Sequence, residues 1–325
     1  MNRRQSSAAH RTTRGRTLVE LLIAITIGIV VLGALTVVYL STGLSGRQST
    51  AVARMNEDAA TALSFIAPQL RMAGFSLPRK SVLPGSATVD GVQKSLPDRY
   101  FIGAGIRACD HGFASATAAT FADLSCSTAS SGPAAFALRF ESADPASTTD
   151  KQRELLPPNL DCLGSAIDAS KYTVGELDGV SYPLVESRFW AALNSSSGTS
   201  DLSCAGNGGT GSAVFRSQPL VQYVEDMRLR FGVAKDGQSA DVVQYLDTAA
   251  EVDALGGSTD QKWSRVVTVR LCLLMRSADG APADAGSKYI DCNGDPVTSS
   301  DGVIRRAYVH TIALRNRGGF AGTAP

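Results

Sequence analysis

Glu20 is the first residue whose type and position demand a chemical explanation. It stands in Gly15-Arg16-Thr17-Leu18-Val19-Glu20-Leu21-Leu22, at the edge of an apolar run, and no charged side chain follows between Leu21 and Leu40. A carboxylate at the centre of a membrane helix costs about 2.5–3.5 kcal/mol, and less near an end. An acid placed there calls for a cationic partner. A second set of oxygens, Asp291-Cys292-Asn293-Gly294-Asp295 with Asp301 beyond, alternates as calcium ligands do. Pro296 replaces the glycine of an EF-hand loop, however, and Gly302 stands where its bidentate Glu belongs. Asp291, Asn293 and Asp295 are therefore calcium candidates set against an ordinary turn, which the same residue types also build. Cys109-Asp110-His111 has the composition of an activated thiol, weighed against a structural cysteine in a polar loop.

Little else in the chain points to catalysis. Histidine is confined to His10, His111 and His310, and G-x-S-x-G, P-loop and H-E-x-x-H signatures are missing from the sequence. The expectation is a non-enzymatic protein without a cofactor, calcium being the one metal to consider. Lys and Arg number 31 against 30 Asp and Glu, and residues 1–15 hold Arg3, Arg4, Arg11 and Arg14 without an acid. The remainder is slightly acidic and has no basic stripe, so nucleic-acid binding is not expected.

The twenty residues from Leu21 to Leu40 form a helix of about 30 Å, the thickness of a bilayer core. The arginines that precede it put the N-terminus in the cytoplasm and the remaining chain in the periplasm, as a single-pass inner-membrane protein. The run is too long for the apolar region of an ordinary signal peptide. Gly28 and Gly33 within it permit close helix packing, or mark a section that melts locally. Val52, Met55, Ala59, Ala62, Leu63, Ile66, Leu70 and Ala73 then recur at three- and four-residue steps, the stripe of an amphipathic helix. Thr42, Gly43, Ser45 and Gly46 imply a weak or kinked junction, Pro68 a kink, and Gly74 a C-cap.

Strand patterns follow at Ala135–Ser142, Leu220–Val233 (one strand or two), Val266–Met275 and Ala307–Arg315. Asn194–Ala213, rich in Gly, Ser and Asn, reads as a long surface loop held by the disulfide of Cys204. Six cysteines, Cys109, Cys126, Cys162, Cys204, Cys272 and Cys292, lie downstream of the export segment, without a zinc spacing. They allow fifteen pairings. The preferred one is sequential (109–126, 162–204, 272–292), the others and buried free thiols remaining open. The fold class expected is α+β: a long N-terminal helix, half membrane and half amphipathic, packed on a largely antiparallel sheet with long disulfide-closed loops.

The stretch Gly15-Arg16-Thr17-Leu18-Val19-Glu20 resembles the class III leader of type IV pilins and pseudopilins. The resemblance implies that a prepilin peptidase cuts after Gly15 and methylates Arg16 as the new N-terminus. Arg16 stands where the family usually carries an apolar residue. Glu20, fifth in the mature chain, would pair with the N-terminal amine of a neighbouring subunit, each charge being costly alone in low dielectric. Leu70-Arg71-Met72-Ala73-Gly74-Phe75, Val224–Gly232, Val266–Leu271 and Ile312–Arg317 narrow the resemblance to the PilW family of minor pilins; roughly 80–215 aligns with nothing.

The implied organisation is a cleaved leader (1–15), an assembly helix (16–40), an amphipathic helix (41–75) and a periplasmic, β-rich head (76–325). The implied function is a minor pilin that helps initiate or cap a type IV pilus and ends at the cell surface. Its implied partners are other minor pilins and the major pilin, with a tip adhesin as a further candidate. The alternatives are a type II secretion pseudopilin, whose component J has a similar architecture, and a membrane-anchored periplasmic binding or enzymatic domain.

Overall fold

The computed structural model of the protein describes residues 17–76, 87–89, 92–94, 101, 104–117, 120–121, 124–142, 159–167, 175–177, 180–196, 198–209, 215–237, 239, 241–278 and 286–317. The chain forms two compact units that divide between Thr50 and Ala51. One helix, α1 (Leu18–Met72), contributes to both. It runs through Thr42–Gly46 and past Pro68 without a break in its assignment.

In the second unit α1 buries Met55, Ala59, Ala62, Ile66, Ala67 and Leu70. These include the positions of the predicted stripe, with Val52 and Leu63 half-buried. Gly74 adopts φ +68°, a left-handed conformation that glycine takes without steric cost and that ends the helix. Its N–H donates to the carbonyl of Arg139 (2.9 Å), so the chain leaves the helix directly onto the sheet.

Two larger antiparallel sheets carry the head. After two short strands, β1 (Ala87–Val89) and β2 (Val92–Lys94), come β3 (Ile106–Cys109) and β4 (Ala135–Glu141). A small hairpin, β5 (Gly175–Leu177) and β6 (Val180–Tyr182), precedes β7 (Leu184–Asn194), β8 (Thr199–Gly206) and β9 (Arg216–Gln222). The first sheet has the order β3-β4-β7-β8-β9. The chain then continues through β10 (Val224–Ala234), β11 (Val242–Leu246), α2 (Ala249–Asp253), α3 (Thr259–Trp263) and β12 (Val266–Arg276). It closes with β13 (Lys288–Ile290), β14 (Pro296–Thr298), β15 (Arg305–Ala313) and a 3-10 turn at Arg315–Arg317. The second sheet is β11-β10-β12-β15. The four strand patterns read in the sequence are thus present. Leu220–Val233 is two strands, parted at Tyr223, whose φ of 63° breaks the extended run where the chain passes from one sheet to the other.

One core unites these layers. Ile66 and Leu70 of α1 belong to the same buried cluster as Phe136 and Phe189 of the first sheet and Met227, Phe231 and Leu271 of the second. Ser187 Oγ donates to Gln69 Oε1 (3.2 Å), and Tyr308 OH donates to Asn56 Oδ1 (2.6 Å), so α1 is held from both sheets. Small side chains at Ala59, Ala62 and Ala67 let the helix approach closely. The fold is α+β, as the sequence patterns implied.

The segment read as a surface loop, Asn194–Ala213, corrects that expectation. Thr199–Gly206 is β8, an interior strand, and Leu202, Cys204 and Ala205 are wholly buried. Its polar residues are satisfied locally: Asp201 accepts from Asn194 Nδ2 (2.7 Å) and Thr199 Oγ1 (2.8 Å). The strand holds small residues because bulky Phe189 and Trp190 lie across from Cys204 and Ser203. Composition alone could not distinguish that from a loop.

The cysteines pair as Cys109–Cys126, Cys162–Cys204 and Cys272–Cys292. Each bond fastens a loop or hairpin to a sheet strand and stabilises by about 2–4 kcal/mol. Arginines do related work. Arg188, fully buried, donates to Glu186 (2.7 Å) and to the carbonyl of Ala116 (3.0 Å), and lies 3.6 Å from the Phe215 ring centroid. Burial pushes the Glu186 carboxyl up, against the opposing pull of Arg188. Arg305 donates to both Glu225 oxygens (2.6 and 3.0 Å) and both Asp301 oxygens (2.8 and 2.6 Å). Hydrogen bonds from Arg305, then from Ser299, hold the Asp301 carboxyl well below the usual carboxylate range.

Two outcomes are expected. Leu202→Ala costs about 2–5 kcal/mol in denaturant unfolding of the detergent-solubilised chain; a change within about 0.5 kcal/mol would return the segment to the surface. A carboxyl with a depressed folded pKa adds stability above its unfolded pKa, and that stability is lost as pH falls toward the folded value. The melting temperature of Asp301→Asn therefore falls less than that of the native chain between about pH 5 and about pH 2. Parallel curves would remove Asp301 from the acid response.

Candidate assembly site on the N-terminal helix

Thr17 and Glu20 build the start of α1. The Glu20 N–H donates to Thr17 Oγ1 (3.3 Å), and the Leu21 N–H to the Thr17 carbonyl (3.2 Å). Thr17 is thus the N-cap, satisfying one of the donors that every helix start leaves free. Glu20 occupies the third helical position, where the partial positive charge of the helix end favours a carboxylate. The T-x-x-E spacing of a capping box was visible in the sequence, but Thr17 was not read as part of the site. Gly15 and Arg16, the proposed cleavage and methylation positions, lie outside the described residues.

From Leu18 to Leu44 the large apolar side chains are exposed; Leu18 is 74% and Tyr39 79% accessible. Among residues 17–46, Glu20 carries the one charge. Four hydroxyls in this stretch bond within the helix: Thr26 to the Ile23 carbonyl (2.9 Å), Thr36 to Leu32 (2.8 Å), Ser41 and Thr42 to Val38 (3.2 and 2.8 Å). Such back-bonding lets Ser and Thr enter an apolar phase without an unmet donor. Gly28 and Gly33 lie in regular helix, with open space where a Cβ would stand. By length and composition α1 is able to cross a membrane. The surface is apolar enough to need a cover, and it offers a neighbour one carboxylate.

The other candidates separate from this site. Asp291 Oδ1 accepts the N–H groups of Asn293 (2.9 Å) and Asp295 (2.8 Å), so its carboxylate closes the β13–β14 turn. Among the described residues no group of three His, Cys, Asp or Glu is arranged to hold a metal. Cys109 is in a disulfide, and Asp110 accepts from the N–H groups of Ala249 (2.7 Å) and Ala250 (3.1 Å) at the start of α2. The structural reading of Cys109, set against an activated thiol, holds: the segment is a strand end and a helix start. His111 Nδ1 lies 3.3 Å from the Gly132 carbonyl, and His310 lies opposite Leu271 in β15.

Residues 191–316 match the family PilW, Type IV Pilus-assembly protein W. The match agrees with the resemblance to the PilW family over that segment, which holds β8 through β15 and the Val224–Gly232 and Val266–Leu271 motifs. Among solved structures, the type IV-like pilin TTHA1219 from Thermus thermophilus is similar at 11% identity. The alignment covers 82% of this chain and 99% of that one, with a TM-score of 0.36. No curated protein matches.

The cap yields a direct expectation. Thr17→Ala removes the hydroxyl that receives the Glu20 N–H and destabilises the first turn by about 0.5–2 kcal/mol. Hydrogen exchange of the detergent-solubilised chain should accelerate at Val19–Leu21 and stay unchanged at Ile66–Leu70. Unchanged exchange at Glu20 would dismiss the cap.

Proposed function

We propose that this chain is a minor pilin that helps initiate or cap a type IV pilus, entering the fibre tip through its N-terminal helix. The observation that carries the reading is an exposed, bilayer-length apolar helix with a single carboxylate in its Thr17-capped first turn, continuous with a disulfide-fastened head. The PilW match over 191–316 supports it. Residues 1–15 are the leader, 16–40 the assembly helix, 41–75 its amphipathic continuation and 76–325 the head. A prepilin peptidase cuts between Gly15 and Arg16 and methylates the Arg16 amine.

Before assembly the chain sits in the inner membrane with its head in the periplasm. There the apolar helix surface is covered by lipid, and in the fibre by the helices of other minor pilins and the major pilin. Glu20 selects the register of that exchange. A carboxylate in an apolar bundle is stable only against a cation, and the free N-terminal amine of a neighbour supplies one. The head then faces outward, toward a tip adhesin. This is a structural role, and the reading assigns no reaction to the chain itself.

Mass spectrometry of the mature protein should find a chain beginning at methylated Arg16, and a Gly15→Ala variant should retain Met1 or its successor. Glu20→Ala should remain in the membrane fraction while its amount in sheared pili falls at least about tenfold, the loss expected for an unpaired charge partner. An uncleaved N-terminus, or normal amounts of Glu20→Ala in pili, would sink the mechanism.

A further inference from the structure

The four-stranded sheet turns one face to α1 and the core. The opposite face carries Asp226, Arg228, Arg230 and Gly232 on β10, level with Leu274, Cys272, Arg270 and Thr268 on β12. On β15, Ala307, Val309, Thr311 and Ala313 continue these four rows. Half of this face is covered. Cys272 binds Cys292 of the β13–β14 hairpin, Arg230 donates to the Asn293 carbonyl (3.4 Å), and Arg228 donates to the Asp110 carbonyl (3.3 Å) and pairs with Asp226 (3.0 Å).

The other half is open. Arg270 is exposed and lies directly opposite Arg230. Like charges across an antiparallel pair are destabilising. Arg230 is relieved by Asp247 (3.2 Å), an exposed and therefore weak pair. Arg270 has no ion pair or hydrogen bond among the described residues. Tyr245, on the edge strand β11, lies beside Gly232, its ring 3.1 Å from where a Cβ at Gly232 would stand. It is 62% exposed, and Val309 is 49% exposed two rows away. Thr268 Oγ1, in the same row as Gly232, is buried and has no hydrogen-bond partner among the described residues. Tyrosine and arginine exposed on one sheet face are the residue types enriched at interface centres.

We infer that this half-face is a docking surface for a partner protein, which seats an Asp or Glu carboxylate between Arg270 and Arg230 and an apolar side chain on Tyr245. The charge selects the occupant: a carboxylate supplies the counter-charge that Arg270 does not receive from the described residues, whereas an apolar or basic segment would cover an unpaired cation. A bidentate guanidinium–carboxylate contact also gives orientation. The inference stands apart from the assembly role, since it concerns the head alone.

The test uses the full chain in detergent and a fluorescein-labelled peptide of alternating Glu and Leu, with its Gln–Leu counterpart and a labelled DNA oligonucleotide as controls. Anisotropy should show saturable binding of the Glu peptide, weakened about tenfold by Arg270→Glu and by Tyr245→Ala, and retained in Arg270→Lys. The melting temperature of Arg270→Glu should equal or exceed that of the native chain. Equal peptide binding by the native chain and Arg270→Glu, or by the Gln peptide, would overturn the proposal. So would the absence of saturable binding, preferential binding of DNA, or a lowered melting temperature in Arg270→Glu, which would give the side chain an internal role.

Discussion

The rest of this protein depends on one constraint: an apolar helical surface, left uncovered by the described residues, that carries a single carboxylate at its start. Leu18 to Leu44 expose large apolar side chains, and Glu20 is the single charge among residues 17–46. Burying the helix in lipid or in other helices satisfies the apolar part. Neither satisfies the carboxylate, whose desolvation is offset only by a cation. On the proposed reading, the first turn favours some neighbours over others. Thr17, by receiving the Glu20 N–H, starts the helix in register with that requirement.

The head solves a different problem. Its described loops place a few side chains such as Phe121, Leu124 and Ile167 in the core. Disulfides and arginines add to that anchoring. Cys109–Cys126, Cys162–Cys204 and Cys272–Cys292 each join a loop or hairpin to a strand. Arg188 and Arg305 extend the same principle with charge-assisted hydrogen bonds to loop carbonyls and carboxylates. Ala59, Ala62 and Ala67 meanwhile bring the helix onto both sheets, so one core serves the whole second unit.

Much of this was legible before any coordinates. The bilayer-length run, the stripe from Met55 to Leu70, the C-cap at Gly74 and four strand patterns each rest on local periodicity or backbone preference. The misreading of Thr199–Gly206 is equally instructive. A strand in the interior of a sheet, facing Phe189 and Trp190, has to carry small residues, and its composition then mimics a loop. The helices α2 and α3 were missed because each is one turn long; their caps at Thr248 and Ser258 were the available signal.

Residue types and spacing alone determined the membrane-length helix, the isolated carboxylate at its start, the even set of cysteines and the α+β class. These are properties of segments, and local chemistry suffices to establish them. Only the tertiary structure decided which loops each cysteine and arginine fastens, that Asp291 closes a turn, and that Arg270 faces Arg230 across two strands. Such facts join residues tens of positions apart, and strand register, set by the packing of the entire core, determines which of them meet.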